Sequence, residues 1–143
     1  MKTAESGQVK VFQKLVSLGA KNVQNHKEGN RSFITFDAPD GRHYKVTTRA
    51  KTAGTWQTST NYAASCPLNE NDNEFWVFID LGREPSAFYV VPISWVKNDI
   101  FNAHQDYLRK HNGHRALNDQ STHHAIPVKR ITAWKDAWAK MGF

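Results

Sequence analysis

Apolar residues recur at spacings of three and four between Ala4 and Leu18, with Val9, Phe12 and Val16 on one row and Val11, Leu15 and Leu18 beside it. Gly19 follows as a C-terminal cap, so the pattern predicts an amphipathic helix with a wide apolar face. Ala20 to Gln24 reads as a short extended lead-in and His26 to Arg31 as a polar loop. The period then changes to two. Phe33, Ile34, Thr35 and Phe36 precede a turn of Pro39, Asp40 and Gly41, after which Tyr44, Val46 and Thr48 alternate with polar neighbours, the signature of a β-hairpin. Asn61 to Asn73 is irregular, and its NENDN run lacks the spacing of a calcium loop and reads as a solvated acidic turn. EFWVFIDL (74–81) and AFYVVP (87–92) are continuous apolar runs flanking a Gly-Arg-Glu-Pro-Ser turn, as expected of strands covered on both faces.

Ser94 is placed to cap a helix from Trp95 to about His111, with Val96, Ile100, Ala103, His104 and Tyr107 facing inward. Asn112 to Ala125 is polar and turn-rich. Ile131, Trp134, Trp138 and Met141 predict a last helix over about 129–141, closed by Gly142. Strands bracketed by helices argue for an α/β or α+β fold: one three-layer domain over residues 1–143, with a central mixed sheet of about five strands flanked by helices. A chain of 143 residues holds such a core unaided.

Charge changes the picture. There are 19 Lys and Arg against 13 Asp and Glu, a formal net charge of +6, which favours an anionic partner such as nucleic acid. The single cysteine, Cys66, cannot form an internal disulfide, and the N-terminus has no apolar signal core, so a cytoplasmic location is expected. No apolar run approaches the roughly 20 residues of a membrane helix. Cys66 has no base beside it in sequence, and no Gly-x-Ser-x-Gly elbow or phosphate-binding glycine loop occurs. Five of the seven histidines cluster at positions 104, 111, 114, 123 and 124, without the cysteines or the ββα pattern of a zinc or HNH site; His123 and His124 are candidates to cap the final helix or line a phosphate-facing surface.

The helix ending in Leu15-x-x-x-Gly19, the hairpin arm KVTTRAKTAGTWQ (45–57), the strand FWVFIDLG and the strand YVVP running into a helix together resemble the PD-(D/E)XK nuclease superfamily, the restriction-endonuclease-like fold, over about residues 7–100. The resemblance implies Mg²⁺-dependent phosphodiester cleavage, with carboxylates on the metal and a lysine by the attacking water. Its (D/E)-x-K triplet falls on Lys45, Val46 and Thr47, and the helix glutamate of many relatives falls near Gln8. Lysine stands where a carboxylate belongs and threonine where the lysine belongs. Asp37 is the nearest acid, but position 47 should lie opposite Ser32 or Phe33, which leaves Asp37 four residues away, roughly 13 Å at ~3.3 Å per residue. No resident metal or other cofactor is therefore expected.

What remains is a basic arm. Arg42, Lys45, Arg49 and Lys51 are expected to neutralise phosphates, with Trp56 and Gln57 touching bases or a groove, so the expected partner is DNA or another nucleic acid. A rival reading is an active endonuclease with a rearranged site, using Asp37 or Asp80 and Mg²⁺; another is a protein-interaction or regulatory subunit. Many proteins of the resembled fold dimerise, which leaves a homodimer open without a residue that specifies it.

Overall fold

The run Glu74–Asp80 explains the architecture. Phe75, Val77 and Ile79 belong to one core and Trp76 and Phe78 to another, because the strand lies inside a sheet covered on both faces. The structure, a computed structural model, describes residues 2–29, 31–62, 72–110 and 123–143. In chain order the elements are α1 (Thr3–Ser17), β1 (Lys21–Glu28), β2 (Arg31–Asp37), β3 (His43–Lys51), β4 (Trp56–Ser59), β5 (Glu74–Asp80), β6 (Ala87–Pro92), α2 (Ile93–Lys110) and β7 (His123–Ile126). Five strands form one mixed sheet in the order β1-β2-β3-β5-β6, antiparallel except for the parallel pair β3/β5. β4 and β7 form a separate antiparallel pair. One helix serves each face of the large sheet, which makes the three layers.

The first core packs Val11 and Leu15 of α1 on Ile34, Phe36, Tyr44 and Val46. Gly7 sets how closely α1 approaches, since a Cβ there would stand 2.6 Å from Ala50 Cβ. Gly19 ends the helix in the left-handed region at φ 100°, which lets Ala20 N–H reach back to Leu15 O at 3.0 Å. The second core gathers Trp56, Trp76, Phe78 and Tyr89 with Val96 and Ile100 of α2 and with Ile126 and Ile131.

Three sequence expectations change. Residues 21–28, read as a lead-in and a loop, form the edge strand β1, held by its ladder to β2 with an irregularity between Lys21 and Gln24. The last helix is absent: Val128–Arg130, Thr132–Trp134 and Trp138–Met141 are separate 3₁₀ turns. Asp136, at φ 53°, breaks the run, and its N–H bonds to Phe88 O at 2.9 Å, seating this segment on β6. Ser94 lies inside α2 and does not cap it from outside; its N–H and Oγ both donate to Asp72 Oδ2, at 3.2 and 2.7 Å.

Candidate nucleic-acid interface

β3 alternates, and the alternation sorts its side chains. Tyr44 and Val46 point into the α1 core, so Lys45, Thr47, Arg49 and Lys51 lie on the opposite face. Along that face each cation sits over a ring. Lys45 Nζ is 4.4 Å from the centroid of Phe33, the Arg49 guanidinium 4.7 Å from Trp76, and Lys51 Nζ 4.8 Å from Trp56. Arg31, from β2, lies 4.9 Å over Tyr62, and Arg49 is 6.0 Å from the same ring. His26 of β1 stacks on Phe33 with centroids 4.9 Å apart and has Nε2 2.7 Å from Thr35 Oγ1.

The charges are not compensated alike. Lys51 Nζ is 3.2 Å from Asp80 Oδ2, and both side chains are only 9% exposed, a closed ion pair. Among the described residues, Arg31, Lys45 and Arg49 have no carboxylate at ion-pair distance. Glu74 stands beside Lys45 in the β3/β5 register without forming such a pair.

The sheet forks at this place. The β2/β3 ladder stops at Phe33↔Thr47, while β2 continues along β1 to Arg31↔Glu28 and β3 continues along β5 to Lys51↔Asp80. The α1 side of the fork is a cleft of about 640 Å³ whose lining includes Gln8, Phe12, Asn25, Ser32, Thr48 and Arg49. On the other side Arg31 and Arg49 share Tyr62.

Of the expected contact residues, Lys45 and Arg49 come together here. Arg42 does not: it sits at the hairpin turn, over Tyr44 at 5.2 Å, seven residues and roughly 23 Å along the strand from Arg49. Lys51 is neutralised by Asp80. Trp56, expected to touch bases, is 1% exposed; its Nε1 donates to Ile79 O at 3.0 Å, it meets Phe78 and Tyr89 in T-shaped contacts and Lys51 Nζ lies over its ring, so it is sealed from a ligand. Pairing of β4 with β7 places it there. Gln57 is exposed and donates to Thr55 Oγ1 at 3.0 Å. Sequence reasoning missed Arg31, although the hairpin register that puts Thr47 opposite Phe33 also points Arg31 toward Arg49. Nothing local to the sequence marks Tyr62.

The residues do not fit a shared metal. Asp37 Oδ2 accepts from Asn22 Nδ2 and Oδ1 lies against His43 Nδ1, both at 2.8 Å, and these bonds, Asn22's first, hold its carboxyl below the usual range. Asp80 caps a turn, accepting from Gly82 N–H at 3.0 Å as well as from Lys51. Asp37 pairs with His43 and Asp80 stands beside Lys51, eight residues on, roughly 26 Å along β3, too far for one ion. Gln8 Nε2 donates to Asn25 Oδ1 at 3.0 Å on the α1 side, whereas Lys45 and Thr47 occupy the other face, so the triplet and helix positions of the resembled nucleases straddle the sheet. No group of three potential ligands occurs among the described residues. His124 is buried, with Nε2 2.8 Å from Asp99 Oδ2 in a network with Arg130, and pins β7 to α2 rather than facing phosphate or capping a helix. Cys66, His111 and His114 lie outside the described residues, as does the side chain of His123.

No helix among the described residues is long and apolar enough to cross a membrane. Set against protein-family models, curated proteins and solved structures, the chain has no significant match to any.

Proposed function

We propose that this chain is a nucleic-acid-binding protein, with DNA the expected ligand, on a PD-(D/E)XK nuclease-like layout that lacks the (D/E)-x-K metal site. One observation carries the reading: Arg31, Lys45 and Arg49 are held on aromatic rings at the fork without an anionic partner among the described residues. A guanidinium resting on a ring has its plane fixed, so little rotamer freedom is lost when its N–H edge forks onto a phosphate. Arg31 and Arg49 on one tyrosine repel each other. An anion bridging them relieves that repulsion, which favours a phosphodiester over a neutral ligand. Such contacts supply affinity and register along the backbone and no choice of sequence.

The test is binding to duplex and single-stranded DNA across a salt series, with and without Mg²⁺, comparing the native chain with Arg31→Ala/Arg49→Ala. The native protein should bind and leave the DNA intact in both conditions, and the variant should lose about two phosphate contacts, lowering the salt slope by roughly 1.4 to 1.8. Equal affinity and slope for the two proteins would sink the assignment. Metal-dependent cleavage products would replace it with a rearranged nuclease, and absence of binding at low salt would favour a protein partner.

A further inference from the structure

The α1 side of the fork carries chemistry unlike the cationic side. Its volume, about 640 Å³, lies within the range of small-ligand sites. The wall is mixed: Ala4, Val9 and the ring of Phe12 give it an apolar side, while Gln8, Asn25, Ser32 and Thr48 place amides and hydroxyls along it. Because Gln8 Nε2 donates to Asn25 Oδ1, the linked amides keep Gln8 Oε1 as an acceptor and Asn25 Nδ2 as a donor. Every nucleobase has an edge with a donor beside an acceptor, which such a pair of amides complements, while an aromatic ring takes its flat face. Glu5 also lines the cleft. Its carboxylate repels phosphate and accepts from a base amine or imino N–H, so the phosphates belong on the arginine side and the base on the amide side.

We propose that this cleft is a subsite for one unstacked nucleobase, whose flanking phosphates rest on Arg31 and Arg49. The inference rests on the nucleic-acid reading above and adds to it a preference for single strands or flipped nucleotides, since a base paired within a duplex cannot present its edge there. Arg49, which lines the cleft and also lies over Trp76, joins the two halves of the site.

The test uses the full chain and two short single strands of equal length and charge, one wholly abasic and one carrying a single central base. The strand with the base should bind roughly tenfold tighter. Gln8→Ala/Asn25→Ala, with its fold checked by circular dichroism, should erase that ratio and leave the salt slope as it was. Arg31→Ala/Arg49→Ala should weaken both strands in parallel. Equal binding of the two strands by the native chain overturns the subsite while leaving the phosphate reading intact, and a ratio that survives in the amide variant overturns it too. If neither strand binds, the nucleic-acid reading fails, and NMR decides the subsite alone: adenosine monophosphate either shifts the signals of Gln8, Phe12 and Asn25, which supports it, or leaves them unmoved, which removes it.

Discussion

Lys51 and Arg49 stand two residues apart on the same face of the same strand, each over a tryptophan, and they have opposite fates. Beside Lys51 the parallel neighbour β5 ends in Asp80, and Trp56 of β4 lies against the Lys51 ammonium, so the charge is buried and neutralised. Beside Arg49 the neighbour is Phe78, β2 has parted from β3, and a second cation, Arg31, lies over the same Tyr62 ring. Two cations on the same strand thus differ: Lys51 closes an ion pair, while Arg49, two residues before it, has no carboxylate at ion-pair distance among the described residues. The local sequence RAK does not distinguish them; the neighbouring strand does.

The largest way to break this contrast is Asp80→Ala, which strands Lys51 in a buried site. Urea denaturation should show a loss of about 3–5 kcal/mol, most of it recovered when Lys51→Met is added. A loss under ~1 kcal/mol would mean the pair does not close that end. Conversely, Thr47→Glu places a carboxylate between Lys45 and Arg49 and should make the open end resemble the closed one, lowering DNA affinity by about tenfold and flattening its salt dependence. Unchanged binding would show that these cations do not face the ligand.

Tyr44→Phe removes the hydroxyl bond to Asp40 Oδ2, 2.8 Å long, and should cost about 1 kcal/mol without altering nucleic-acid binding, since that turn is remote from the fork. Burial first, and then Asp40, raise the Tyr44 phenol above its ordinary value of about 10. Its contribution is therefore complete below about pH 10 and is lost as pH rises through the folded value, so the variant should show a flatter alkaline limb in a stability–pH profile. Arg31→Ala should shift stability by no more than about 0.5 kcal/mol while reducing the salt slope by about 1, separating the open end's function from its fold. The smallest effect belongs to Asp37→Asn. The depressed carboxyl stabilises the fold above its ordinary range, about pH 4, and loses that contribution as pH falls through the folded value, so the variant should unfold with a flatter acid limb by circular dichroism.

The hairpin, both faces of β5 and the three layers were legible because alternation and turn chemistry are local. β1 was not, since NVQNHKE at a sheet edge is mostly exposed, with only Val23 and His26 half-buried, and has no apolar rhythm; backbone pairing with β2 defines it. The terminal helix failed for another reason. Ile131 and Trp134 pack into the α2 core, but Trp138 and Met141 pack into the α1 core, so their spacing reflects a chain passing around the sheet rather than one helical stripe. Trp56 follows Gly54 and Thr55 and reads as exposed, while the strand that covers it arrives some seventy residues later. For the site, the missing (D/E)-x-K triplet and the placement of Lys45 and Arg49 could be read, whereas the fork and Tyr62 depend on distant packing.

The Gly7–Ala50 contact acts as a ruler. The close approach of Gly7 in α1 to Ala50 in β3 fixes the height of the helix above the sheet, and Gln8, the very next residue, reaches into the cleft from that height. Any lineage or designer that enlarged position 7 or 50 would lift the helix and deepen the cleft in the same step. Helix packing and cleft depth are thus a single variable in this protein, so selection acting on either one reshapes the other.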